Sequence, residues 1–493
     1  MASWLSSSEG LGAHLIAPGV AGWANRALIL GLILLALTLP HSIAAAQISF
    51  GLGVVAWVIR DASARRLHFA RTRMDLPLLG FAVLTVAAAV FSVEPEVSLT
   101  KLRSLGLFLV IYLIATNLHP RGVRLFALLM IASSLIGVGY SLGEKLLGRG
   151  MVVAAIEAES PLASSQLRAG DVIWMIARRR VSSLEDTGQI IQRHRAGETL
   201  EIEALHAGDP LPVKLVVTDE LRARSNPLGI SVGGRSRRFR VSGFSRHFLT
   251  YAEQMQILAL LVYGALLAGW KSWLPARCRF QLLAGLALFA LFSLTLVLTA
   301  SRAVIASFLF ALIAVSVIAG GRRVALLALL LSLTIGSLAI YTLVTSRTLS
   351  AASLDDDSSL RRLGYMRAGL RLIPRHPVLG VGMDAHMRHW QEWGFPGNYV
   401  THTHSTLIQI GMDRGLPALG CYVWLMAAMF ALAWRGYLQA RQTGDQASGL
   451  MLGTFAALAG FSASSLVNYN FGDSEVLMML LFIVGLAAAK CSR

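Results

Sequence analysis

Charge is scarce in this sequence. Only 14% of its 493 residues are Asp, Glu, Lys or Arg while 55% are hydrophobic, a balance that excludes a disordered chain and an ordinary soluble enzyme. Cysteine is nearly missing. Cys278, Cys421 and Cys491 are odd in number, lack metal-ligand spacing and place one thiol inside an apolar run, so a secreted disulfide scaffold is excluded as well. Lysine is rare too, at positions 101, 145, 214, 271 and 490 only, which leaves 39 of the 44 basic residues as Arg against 27 acidic residues and a net charge of +17. These arginines lie between apolar runs rather than on one soluble basic face. They point to anionic lipid, phosphate and membrane orientation, and not to nucleic acid.

What the sequence has is long apolar runs. A helix of roughly 17 to 25 mostly apolar residues crosses a bilayer. Twelve segments fit or approach this, near 27 to 45, 46 to 59, 76 to 92, 104 to 117, 122 to 141, 249 to 270, 280 to 298, 303 to 319, 324 to 344, 416 to 434, 447 to 467 and 474 to 490. The first follows some 25 residues without a small-residue cleavage site and reads as an anchor rather than a signal peptide. With a cytoplasmic N-terminus, the inner tails and loops hold seventeen Arg and Lys residues, and the short outer connections hold only Lys101, Arg103 and Arg302. The positive-inside rule then turns both long loops, 142 to 248 and 345 to 415, outward and keeps both termini in the cytoplasm.

Residues 150 to 218 leave the apolar regime. Met151 to Ile156, Asp171 to Ile176, Thr199 to Ala204 and Val213 to Val217 read as short strands, and Asp186 to Arg195 suits a short helix. The string Ser160-Pro-Leu-Ala163, then Leu167-Arg-Ala-Gly-Asp-Val-Ile173 and Gly197-Glu-Thr-Leu200, resembles a bacterial PDZ domain. That resemblance implies a peptide or protein ligand added as a strand, with its terminal carboxylate held by main-chain N–H groups. A spacer that binds nothing is the alternative. No carboxylate loop stands ahead of Met151, but Asn226-Pro-Leu-Gly-Ile-Ser-Val232 offers a strand in permuted order. Seven arginines between Arg222 and Arg246, without Asp or Glu from Leu221 to Ala252, read as a linker drawn to anionic headgroups. The expected division is membrane helices over 1–147, a PDZ-like domain over 148–220, an Arg-rich linker over 221–248 and membrane helices over 249–493.

Four features occur in order: Arg240-Val-Ser-Gly before an apolar span, Leu298-Thr-Ala-Ser-Arg302, His376-Pro-Val-Leu-Gly-Val-Gly382, and His404-Ser405 followed by Gly415. Together with the span pattern they resemble the O-antigen ligase superfamily, which includes O-antigen polymerases and protein O-oligosaccharyltransferases. The resemblance implies an all-α polytopic membrane protein, GT-C-like, and a bacterial inner-membrane glycosyltransferase. It also implies a metal-independent inverting transfer of a glycan from undecaprenyl diphosphate to a lipid A core, another glycan or a protein hydroxyl at the periplasmic face. By motif, Arg240 and Arg302 would grip the diphosphate and His404 would be catalytic. The chemistry agrees, because guanidinium groups stabilise the charge that grows on a diphosphate leaving group, and a neutral imidazole accepts the proton of an attacking hydroxyl.

Several alternatives stay open. A surface loop histidine at 404 and a snorkelling arginine at 302 are the bland readings. His386, His389, His402 and His404, with Asp384 or the run Asp355 to Asp357, would be the ligands of a metal-dependent transferase. A non-catalytic PDZ scaffold and a transporter are alternatives of other classes, although the nearly charge-free spans suit chemistry at one face rather than passage. The chain departs from the family pattern where Asp384, Ala385 and His386 follow Gly382 in place of an aromatic residue. The insert is a second departure from the common core.

Overall fold

The computed structural model describes residues 20–65, 69–206, 209–273, 279–346, 357–397 and 402–491. Cys278, Asp355 and Asp356 lie outside the described residues. The chain forms two compact units, one of Met1–Val138, Ser242–Gly336 and Asp357–Arg493, the other of Gly139–Val241 with Ser337–Asp356.

Apolar sequence dictates most of the helices. In chain order they begin with α1 (Val20–Thr38), α2 (Ile43–Ser63), α3 (Asp75–Val90) and α4 (Pro95–Thr100), which runs through a 3-10 segment, Lys101–Phe108, into α5 (Leu109–Asn117) and is followed by α6 (Val123–Leu147). Local chemistry sets the ends. Ser42 caps α2 by accepting from the Ala45 N–H, and Pro95 opens α4, where its missing N–H costs nothing. Asp75 holds the start of α3 by accepting from the Thr72 N–H and hydroxyl and from the Tyr112 hydroxyl at 2.7 Å.

The insert unit folds as expected from its alternation. β1 (Met151–Ile156), β2 (Val172–Ile176), β3 (Arg179–Arg180), α7 (Leu184–Gln192), β4 (Thr199–His206), β5 (Asp209–Val216), α8 (Asp219–Ala223) and β6 (Ile230–Val232) enclose a core that includes Ile173, Ile202, Leu215 and Ile230. The sheet order is β5-β4-β2-β1-β6, with β3 paired to β2. β6 pairs antiparallel with β1, Ile156 opposite Ile230, so the strand offered by Asn226 to Val232 does join in permuted order. Ser183 and Asp186 form a capping box at α7. At the unit's base Glu144 accepts from Arg149 and Arg180, and Lys145 donates to the Phe239 carbonyl at 2.7 Å.

The remaining helices are α9 (Phe248–Trp273), α10 (Arg279–Leu298), α11 (Arg302–Val315), α12 (Gly321–Ser346), α13 (Asp357–Leu372), α14 (Thr406–Thr443), α15 (Ser448–Ser465) and α16 (Ser474–Cys491). A π-helical turn at Ser316–Gly320 and a positive-φ Gly321, at 75°, separate α11 from α12. Each of the twelve apolar segments overlaps a helix, but the break expected between 45 and 46 lies instead between Thr38 and Ile43. Among the described residues nine stretches are long and apolar enough to cross a membrane, one of them running from Arg302 to Thr342 over both α11 and α12. Asp75–Val90 is apolar but shorter.

α14 is two helices. Gly415, at φ 81 and ψ 172, breaks it, and Pro417 opens the second part, where the apolar run starting at 416 is expected to begin. The break lets a loop dock. The Val381 N–H donates to the Met412 carbonyl at 2.9 Å, the Gly382 N–H to the Asp413 carbonyl at 3.0 Å, and the Leu416 N–H to the Pro377 carbonyl at 2.7 Å. A side chain at Gly415 would bring Cβ to 2.1 Å from the Val378 carbonyl oxygen, and one at Gly382 to 1.8 Å from the Ser92 hydroxyl. Gly415→Ala is therefore expected to cost about 2 kcal/mol or more from the positive φ and the clash together. A thermal midpoint in detergent well below wild type checks this, and an unchanged midpoint would refute the locked-loop account.

Candidate active site

Turns at or beside three of the four sequence motifs each contain a non-glycine residue at positive φ: Ala300 at 52°, Asp384 at 59° and His404 at 57°. Such conformations are uncommon outside glycine and tend to cluster at functional turns. His404 is half-buried just before the first segment of α14, whose N-cap is Ser405. Its ring stacks on Tyr365 of α13 at 5.7 Å and meets His402 edge-on at 4.4 Å. The His402 ring in turn faces Tyr469 at 5.7 Å.

The segment bearing these imidazoles is tied down by buried polar side chains. Gln409, fully buried, accepts from the Thr403 N–H at 2.7 Å and donates to both oxygens of Asp413 at 3.0 Å. The Thr406 N–H and hydroxyl both bond the Asn468 carbonyl, and the same hydroxyl reaches Asn470 Oδ1 at 3.1 Å. Glu253 of α9 is 1% exposed and accepts from Ser464, Asn468 and Asn470. An ionisable side chain buried in a membrane helix marks function by default. Here Glu253 braces the turn that holds Thr406.

The departure after Gly382 has a structural use. Asp384 pairs with Lys101 at 2.5 Å. His386, fully buried, lies 3.9 Å from the Asp413 carboxylate and packs by its ring on Trp390 and Phe395. Ser92 and Ser98 donate to the Val381 and Met383 carbonyls, fixing the same turn from the α3–α4 connection and from α4. His376 only shapes the entry to the loop, its N–H bonding the Leu372 carbonyl and its carbonyl accepting from Gly380. His389 is engaged elsewhere, with Glu94 and Glu392. Among the described residues no group of three or more His, Cys, Asp or Glu is arranged to hold a metal.

Arg302 and His404 belong to one unit and Arg240 to the other. Arg302 is the exposed first residue of α11, and Arg240 is part-buried after Phe239, whose ring carries the Arg149 guanidinium at 4.5 Å. The arginine acting electrostatically on both His402 and His404 is Arg362 of α13, which the sequence motifs did not single out. Its only sequence signal is the pair Arg361-Arg362 three residues before Tyr365. Gln409, Asp413 and Arg414 were hidden inside the nine-residue interval to Gly415, and Glu253 inside an apolar span.

Burial, then the neighbouring His402 and Arg362, pushes the His404 imidazole down to about 3. Burial, then His386 and Arg362, pushes His402 down to about 4, with His247 acting the same way and Asp384 opposing. Both are thus neutral at working pH. The free unfolded chain takes up these protons as pH falls below about 6.5 while the folded chain does not, so this stabilisation is complete above about 6.5 and fades toward 3. Histidine Cε1 NMR is expected to show neither ring protonating between about pH 8 and about pH 5. A midpoint near 6.5 for His404 would contradict the burial.

The O-antigen ligase family model matches residues 286–423, which carry the Arg302 turn, the docked loop, His404 and Gly415. A PDZ domain model matches residues 134–217, and β6 completes that sheet beyond the matched segment. No curated protein matches the chain significantly. Residues 286–423 are thus similar to the O-antigen ligase family and residues 134–217 to a PDZ domain, in a chain whose described residues include nine stretches long and apolar enough to cross a membrane.

Proposed function

We propose that this protein is an inner-membrane glycosyltransferase that moves a glycan from undecaprenyl diphosphate to an acceptor hydroxyl at the periplasmic face, by inversion and without a metal. The twelve apolar segments would each cross the membrane, with both termini cytoplasmic. The observation that carries the reading is His404, a neutral, half-buried imidazole at positive φ, braced by buried polar side chains and within electrostatic reach of Arg362. A neutral imidazole can take the proton that the acceptor hydroxyl releases as it attacks the anomeric carbon. A pKa near 3 makes a weak base in the free protein. The diphosphate of a bound donor would raise it, because a nearby anion favours the imidazolium.

Arg302 and Arg240 are proposed to hold the diphosphate, joined by Arg362 as the cation beside the base. Permanent guanidinium charge meets the phosphate oxygens bidentately and binds them more tightly as the glycosidic bond breaks. Whether the acceptor is a lipid A core, a second lipid-linked glycan or a protein hydroxyl is a matter of acceptor surface, and the donor chemistry is shared. A scaffold lacking activity would have no use for the buried bracing around His404.

His404→Ala is expected to lower transfer from a defined lipid-linked glycan by roughly 100- to 10,000-fold with insertion intact, the range for loss of a general base. Wild-type transfer should persist in EDTA. An unchanged rate in His404→Ala, or abolition by EDTA with rescue by a divalent ion, would overturn the assignment.

A peptide partner for the PDZ domain is supported by β6, an edge strand that follows the turn Asn226-Pro-Leu-Gly229. An edge strand has open N–H and C=O groups for strand addition. Peptides with a free C-terminal carboxylate are expected to bind the full chain and their amidated forms are not. Equal binding of both forms would remove the carboxylate-loop reading.

A further inference from the structure

A cavity of about 180 Å³ lies among the Lys101–Phe108 segment, the turn at Met383 and Asp384, the end of the first α14 segment, and the turn from Tyr469 to Ser474. Lys101, Arg103 and Arg414 line it, with Asp384 as the carboxylate among its lining residues. Arg414 is the unusual member. It is 4% exposed, its Nη2 reaches the Met383 sulfur at 3.1 Å, and its Nε and Nη1 have no hydrogen-bond partner. Asp413 pairs with its charge at 4.0 Å from Nη1 and the Tyr469 hydroxyl also interacts with it, but Asp413 accepts its hydrogen bonds from Gln409 through both oxygens and leaves Nε and Nη1 without an acceptor. Asp384 is paired with Lys101.

A thioether is a weak acceptor, and a buried guanidinium with two idle nitrogens is costly unless an acceptor arrives from outside. An oxyanion suits the two open nitrogens, because it accepts from both at once. The rest of the wall says what carries it. Phe81, Phe108, Phe471 and Tyr469 present aromatic surface, and Ser104 and Ser474 add hydroxyls. Ring faces with a few polar groups suit a pyranose, whose C–H faces are apolar and whose edge is hydroxylated. The Arg414 guanidinium itself sits over the Phe81 ring at 5.6 Å, which keeps it in place without using its N–H groups. Tyr469 joins this cavity to the histidine pair, since its ring is also the neighbour of His402.

We propose that this cavity is a subsite for a sugar residue bearing an oxyanion, a carboxylate or a phosphate, with Arg414 reading the charge. The proposal rests on the reading of the protein as a glycan transferase and names a substrate class for it: glycans that place an acidic residue near the reacting sugar. Sequence alone hid this, because Arg414 falls within the interval between His404 and Gly415.

The test is equilibrium binding to the full chain in phosphatidylcholine nanodiscs, with glucuronic acid, glucose 6-phosphate, glucose and inorganic phosphate as probes. At least one of the two sugar anions is expected to bind saturably, and glucose is not. Preference for glucuronic acid identifies a uronic-type residue, and preference for glucose 6-phosphate a phosphorylated one. Arg414→Gln is expected to weaken that binding by about tenfold or more, as loss of a charge-assisted contact should, and Arg414→Lys by less. If Arg414→Gln fails to insert, Arg103→Gln at an exposed position carries the same direction of effect. Glucose binding as well as the anions, phosphate binding alone, no saturable binding, or an unchanged affinity in the inserted variant would overturn the proposal. Binding is read without turnover, so a failure here is distinct from a failure of the His404 assignment.

Discussion

The site depends on one backbone contact: the loop from Pro377 to Gly382 pairs with the strained turn from Met412 to Leu416. Three main-chain hydrogen bonds join two segments that are about thirty residues apart, and glycines at 380 and 415 give the two backbones room to meet. Because Gly415 interrupts α14, the short helix before it is free to lie against the loop rather than continue the span. That short helix carries Gln409, Asp413 and Arg414, and the turn at its start carries His402 and His404. Without the break there would be one long apolar helix and no place for this polar set.

Burial then decides the chemistry of what the contact assembles. His402 and His404 share a crowded space with Arg362, and the cheapest state is to leave both rings neutral. The same pressure favours partners for the buried polar groups nearby, as Gln409 on Asp413 and Asn468, Asn470 and Ser464 on Glu253 show, although Asn468 Oδ1 has none. A satisfied network of this kind fixes side chains more firmly than apolar packing alone. Arg414 is one place where the network stays open.

Much of this was legible beforehand, for identifiable reasons. Apolar runs announced the helices, because length and hydropathy are all a span needs, and alternation announced the insert's strands. The start of a span at 416 was legible because Pro417 and the apolar run agree. The division at Ser316–Gly320 was not resolved as a π turn, since Ser-Val-Ile-Ala-Gly is apolar on either reading. Ordered motifs single out His404, Arg302 and Arg240, whose roles are proposals. Arg362, Gln409, Asp413, Arg414 and Glu253 did not stand out, because their roles arise from tertiary neighbours such as Tyr365, Thr403, Met383 and Asn468. The residues after Gly382 looked like a departure and are instead specific: Asp384 meets Lys101, and His386 packs under Trp390 and Phe395.

The central claim is spatial, that the imidazole of His404 faces a lipid-borne diphosphate held by arginine. A cryo-EM map of the full chain in nanodiscs with undecaprenyl diphosphate tests it directly. The account predicts phosphate density within hydrogen-bonding reach of Arg302 or Arg362, on the side of the His404 ring. Phosphate density seated against other residues, with His404 facing only protein or lipid, would contradict it.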